Sequence, residues 1–302
     1  MEYTKPFTTF DEQVDLLVSR GMQGDREEIR EHLVDVGYYR LSGYWHIFKN
    51  EDDSFRPGTT FQEVWDIYTF DRQFRLVVLD AIERVEVYFR TQLAYELAGQ
   101  TGPFGFLDSD NLPRLNKEDY EKFLGRCKKE AERSREPFIL HFKEKYGDCH
   151  ELPPYWVLVN TMDFGQMLTL YRGSSVEIRR SLANKLGLAA KVLESWLVAL
   201  NTTRNICAHH GRLWNRVMGN RPMIPKDDIR WHEPFDVSPD RIFCMLTILS
   251  YLLEQVAPQT GWRKRLFRLF DEHSEIDKRK MGFAKGWEEC PFWKPWLEMS
   301  ID

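Results

Sequence analysis

Apolar residues recur at three- and four-residue steps along most of this chain, and strict alternation is scarce, so the pattern predicts helices almost throughout. The clearest run is Phe61 to Leu97, which contains neither Gly nor Pro; Val64, Ile67, Phe70, Phe74, Val77, Val78, Ala81, Val85, Phe89, Leu93 and Leu97 fall on its apolar side. Capped by Thr60, it reads as one amphipathic helix roughly 55 Å long. Ahead of it, residues 9–20 open on a capping box at Thr9 with Glu12 or Gln13 in the first turn, and Gly21 ends them. Residues 25–36 form a second helix with Ile29, Leu33 and Val36 on one face. The stretch from Gly37 to Trp45 is too aromatic and Gly-rich for a plain helix and reads as a packed turn feeding a short helix or strand.

Residues 99–116 read as a loop, and 117–146 as charged helix broken at Pro137. A helix carrying Trp156, Leu158, Val159 and Met162 starts at 151–154 and is interrupted at Gly165; short helices follow at 176–185 and 188–201. The last runs without a breaker through Arg204 to His209. After a connection at 219–239 holding Pro222, Pro225, Pro234 and Pro239, an apolar helix at 240–256 and a basic helix at 262–273 lead to an aromatic, Pro-rich tail that reads as an extended cap. The fold class is all-α.

Composition narrows the setting. With 302 residues, 42% of them hydrophobic, the chain is long enough to bury a core. The formal net charge of −5 excludes a general nucleic-acid coat but not a local basic site. Five Cys without a CxxC pair exclude a disulfide framework or structural zinc, which fits a reduced, cytoplasmic chain. No signal region and no run of about 18 apolar residues is visible, so no membrane partner is expected.

The candidate chemistry lies at Arg204–Arg216, where Arg204, His209, His210, Arg212 and Arg216 accompany Asn205 and Asn215. Asn205 and His209 share a helix face, with Arg204 about 140° around the axis from His209. Imidazole can take the proton of a ribose 2′-OH and return one to a leaving 5′-oxygen. Guanidinium can clamp the phosphate, and Asn can orient either partner. This chemistry requires no metal and no cofactor. Cys207 faces about 200° away from His209 and reads as a small buried apolar residue.

Arg204-Asn205-x-x-x-His209 matches the RNxxxH signature of the HEPN superfamily of helical nucleases, and the run from Leu200 to Arg216 resembles its Abi-like branch, the AbiD/AbiF type of abortive-infection proteins. Lys5-Pro6-Phe7, Gly37 to Trp45, Thr59 to Phe61, Phe70 to Arg72 and Asp80 to Glu86 agree with it, so the resemblance covers nearly the whole chain. It implies one helical domain: a HEPN core over about 60–256, an N-terminal extension over 1–59, and a basic helix with a Trp-rich tail over 257–302. Only one RNxxxH occurs here, so the resemblance implies a homodimer with a composite site and metal-independent RNA cleavage to a 2′,3′-cyclic phosphate. Arg204, Asn205 and His209 would be catalytic. Some relatives are restrained by a small structured RNA, a second RNA partner the resemblance admits here.

Around this centre, Arg212, Trp214 and Arg216 suit phosphate contact and stacking, although Trp214 plugging the core and arginines paired with carboxylates fits equally. Arg263, Lys264 and Arg265 could track an RNA backbone or form a plain charged surface. Glu83, Glu86 and Arg90 on the long helix, and His210, are candidates to support His209 from behind. Tyr38, Tyr39, Arg40, Tyr44 and Trp45 could stack bases, but core packing is the leading reading for them. A non-catalytic RNA-binding scaffold or sensor is the alternative function. A nucleotidyl-transfer antitoxin is weaker, because no Gly-Ser with paired Asp occurs.

Overall fold

The computed structural model describes residues 2, 4 and 6–298; Lys5, in the first of the quoted blocks, lies outside the described residues. The regular structure is α-helical with short 3-10 turns, and no strand occurs among the described residues, as the apolar periodicity predicts. Helix α1 (Phe10–Ser19) starts at the Thr9–Glu12 capping box, and Asp25 caps α2 (Arg26–Val36) through the amides of Glu27 and Glu28. Gly37 then takes φ 88°, where a side chain would be strained, and turns the chain straight into α3 (Tyr38–Trp45). The expected turn is thus a helix: Leu41, Tyr44 and Trp45 stand three and four apart and all are buried, and that burial overrides weak aromatic helix propensity.

The long helix α4 (Phe61–Thr101) is the axis of the molecule. Its 41 residues span about 60 Å, and the Thr60–Glu63 capping box fixes its start. Helix α5 (Lys117–Arg133) and α6 (Pro137–Tyr146) divide at Pro137, which occupies the first position of α6, where its missing N–H is harmless. A short α7 (Tyr155–Leu158) precedes α8 (Phe164–Gly173). The break between them falls before Asp163, not at Gly165: Asp163 and Gln166 form a capping box, and Gly165 lies inside α8.

Helix α9 (Val176–Asn184) leads to α10 (Ala190–Ala208), then come α11 (Ile242–Val256), α12 (Trp262–Glu272) and α13 (Lys294–Glu298). Helices α3, α7, α9, α10, α11 and α12 all pack on α4. The apolar core is continuous from Val14 to Trp293. The tail is less extended than expected, consisting of 3-10 turns and α13, with Phe292 and Trp293 buried against α11 through Ser250 Oγ and Thr247 Oγ1. No helix among the described residues is long and apolar enough to cross a membrane.

Candidate functional site

Helix α10 presents the motif on two faces. Leu193, Leu197 and Leu200 form its buried stripe, and Arg204, four residues beyond Leu200, continues that stripe to the helix end. Lys191, Ser195, Val198, Thr202, Asn205 and His209 lie within about 80° of one another on the outer face. Above this face the 219–223 strap is pinned by Asn220 Nδ2 on Thr202 Oγ1 (2.5 Å) and by Met223 N on Ser195 Oγ (2.7 Å), which leaves a groove of about 420 Å³. Asn205 and His209 are exposed and Arg204 is half-buried. None of the three has a side-chain hydrogen bond, ion pair or ring contact among the described residues, and Arg204 is the one half-buried arginine there of which this is true.

The end of α10 is nevertheless rigid. Ala208 is its last residue and His209 the C-cap, one position short of the expected helix. Gly211 N donates to Ile206 O (2.7 Å) and His210 N to Cys207 O (3.1 Å), the paired bonds of a Schellman turn. His210 fills the left-handed position at φ 57°.

Beyond this turn the chain is clamped by α3 and α4. Asp71, fully buried on α4, accepts from Trp214 N (2.7 Å), Leu213 N (3.1 Å), Tyr44 Oη (2.7 Å) and Arg75 Nη1 (2.5 Å). Arg40 donates to His210 O (2.8 Å) and Arg212 to Gly43 O. Burial pushes the Asp71 carboxyl up, while Arg75 first, then Tyr44 and the two amides, pull it back. Burial, with the Asp71 charge adding, pushes the Cys207 thiol up to about 12, so it holds its proton at neutral pH and is no nucleophile. Tyr44, Asp71 and Arg75 carry roles that sequence reasoning did not assign. The available signal was an Asp71–Arg75 pair, four apart, set inside an apolar stripe between Phe70 and Leu79.

The flanking candidates divide. Trp214 is 1% exposed, so its ring has no face for a base, and stacking by it is corrected to a core role. Arg263 is likewise corrected: at 2% exposure it donates to Ser250 Oγ (2.8 Å) and Glu254 Oε1 (2.9 Å), lies 4.1 Å over the Trp296 ring, and is pushed down to about 10 by burial. Arg265 is paired with Asp80, and Lys264 is exposed on the same helix. Arg212 meets His46 Nδ1 (3.1 Å), and Arg216 donates to Arg212 O (3.3 Å).

Helix α10 runs antiparallel to α4, with Lys185 beside Gln92 and Glu96 at one end and Trp214 on Asp71 at the other. This places Glu86 and Arg90 away from His209. They pair at 2.5 Å, and Arg90 holds Met162 O (3.1 Å), which fixes the connection into α8. Glu83 is exposed, and none of the three bonds His209. The His210 side chain points to solvent; its carbonyl is the group that is held. No group of three or more His, Cys, Asp or Glu able to hold a metal occurs among the described residues.

The family model described as Abi-like protein matches residues 31–215, more than half of the chain. That span opens within α2 and closes at Asn215, so it contains α3, α4, the clamp and the whole Arg204–His209 motif. No curated protein and no solved structure matches the chain.

Proposed function

The chain belongs to the family of Abi-like proteins, and from that premise we propose that it is a HEPN-type endoribonuclease of abortive-infection defence, cutting RNA without a metal. The observation that carries this reading is the state of Arg204, Asn205 and His209. They are free of partners, at the exposed end of a helix that a Schellman turn and a buried clamp hold in place. The backbone that carries them is fixed, while their side chains remain free to meet a phosphate.

In this reading imidazole at His209 removes the proton of a ribose 2′-OH. The 2′-oxygen bonds to phosphorus, the bond to the 5′-oxygen breaks, and a proton from imidazolium goes to that leaving oxygen. The products are a 2′,3′-cyclic phosphate and a 5′-hydroxyl. Arg204 neutralises charge growing on the phosphoryl oxygens, and Asn205, one turn before His209, orients phosphate or imidazole. Since Arg204 and His209 lie on different faces of α10, the proposed site is completed by the same surface of a second copy across a two-fold axis. A small structured RNA bound on that surface would restrain it.

The test compares wild type with His209→Ala on single-stranded RNA in the presence of chelator, reading cyclic-phosphate ends. The expected result is cleavage by wild type and a loss of about 100- to 10,000-fold in the variant, with thermal unfolding unchanged. A variant that cuts as fast as wild type overturns the assignment. One feature favours a second reading: no side chain orients the His209 imidazole within one protomer. An RNA-binding scaffold would then bind RNA with His209 intact and yield no cyclic-phosphate ends.

A further inference from the structure

Around residues 210–216 the chain gathers cations that form no ion pair among the described residues. Arg40 and Arg212 donate to the backbone carbonyls of His210 and Gly43, Arg216 to that of Arg212, and Lys280 has no ion pair among the described residues. Arg75, Arg84, Arg90, Arg263 and Arg265, by comparison, each face an Asp or Glu. Of the carboxylates that bear on the cluster, Asp71 is fully buried and spent on Arg75, Tyr44 and two amides, and Asp277, whose charge reaches Lys280, is paired with Arg279. A molecule of net charge −5 thus keeps a positive surface without ion pairs beside its motif.

Three separate elements build it. His46 follows α3, Arg212 follows α10, and Lys280 comes from the 3-10 turn Lys278–Met281, where it also lies 5.6 Å over the Trp214 ring. Partial burial, then the Arg212 guanidinium, with Lys280 adding, push the His46 imidazole down, while its bond to Gly43 O (2.9 Å) opposes them. The two cations therefore bear on His46 together. Beside Arg40 stands Tyr39, 77% exposed, with only an edge contact to Tyr38 at 6.2 Å, next to a cavity of about 590 Å³ that Tyr38, Ser42 and Trp45 also line. Tyr44 and Trp45, like Leu41, are buried as expected, whereas the core packing expected for Tyr39 is corrected, since its ring lies outside.

Resting on the reading of the motif as an RNA-cleaving site, we propose that the outer surface of α3 is the track on which single-stranded RNA approaches it, with Arg40, Arg212 and Lys280 taking backbone phosphates and the Tyr39 ring stacking on a base. Positive groups that follow the backbone beside an open aromatic face are the combination that holds single strands. A duplex keeps its base faces stacked and offers Tyr39 nothing.

The experiment uses the full chain carrying His209→Ala, so that cleavage cannot interfere, and a fluorescein-labelled oligoribonucleotide read by anisotropy, alone and annealed to its complement. Tyr39→Ala is expected to weaken single-strand binding roughly 5- to 150-fold, to leave its salt dependence alone and to leave duplex binding unchanged. Tyr39→Phe should bind like the parent. Lys280→Ala should reduce the slope of log affinity against log salt by about 0.7. Parental affinity in Tyr39→Ala, equal losses on duplex, or an unchanged slope in Lys280→Ala would overturn the track. These outcomes are separate from the cyclic-phosphate assay: a protein that binds in this way but yields no cyclic ends keeps the track and loses the nuclease.

Discussion

His210 occupies φ 57°, a conformation that a non-Gly residue adopts at a cost of about 1–2 kcal/mol. Its carbonyl is held by Arg40 while its imidazole makes no bond, so the position serves the turn through its backbone. His210→Gly is therefore expected to leave stability unchanged or raise it by up to about 1 kcal/mol, and to keep cleavage; a loss of cleavage with an intact fold would give the imidazole a chemical role. His210→Val should lower stability by about 1–3 kcal/mol. The converse case is Asp71. Asp71→Asn removes the counter-charge of Arg75, itself only 4% exposed, and is expected to cost about 3–5 kcal/mol in urea unfolding, because it strands a buried cation. Adding Arg75→Met should restore part of that loss. If Asp71→Asn unfolds within about 0.5 kcal/mol of wild type, the clamp contributes no net stability.

At the scale of elements, α4 depends on where it starts, since every helix packed on it takes its register from the same 41 residues. The Thr60 hydroxyl accepts from Glu63 N (3.3 Å), and the Glu63 carboxylate takes Thr60 N (2.8 Å). Thr60→Ala should therefore cost about 1 kcal/mol by denaturant midpoint with an unchanged slope; a changed slope would mean that α4 frays more widely than one turn. Thr60, the apolar steps to Leu97 and the uninterrupted run into the motif were all legible in the sequence, because each signal is local. Helix α3 was not legible as a helix: Tyr, Gly and Ser have modest propensity, and what fixes it is burial of Tyr44 against Tyr68 and Asp71 and of Trp45 against Tyr38 and Phe55. Asp71 was missed for the same reason. Its polar partners besides Arg75 are Tyr44 and the amides of Leu213 and Trp214, 27, 142 and 143 residues away. For Trp214 the sequence left stacking and core packing level; only the tertiary structure, which buries it, decides.

For the whole molecule the deciding quantity is how a chain of net charge −5 would hold a polyanion. At about 0.1 M salt, charges more than roughly 10 Å apart are screened from each other, so remote carboxylates weigh little against cations that touch the strand. Arg40, Arg212, Arg216 and Lys280, together with Arg204, are five cations on or beside the proposed track that form no ion pair among the described residues. With about 0.7 counterions released per phosphate on a single strand, five contacts give a slope near −3.5, a fall of roughly 100-fold in affinity from 50 to 200 mM salt. A slope near −7 would mean that one strand crosses the same surface on two copies, the arrangement expected if the motifs of a dimer face one another. Affinity that ignores salt would remove the phosphate backbone as the ligand of this surface, however well Arg204, Asn205 and His209 are placed for cutting it.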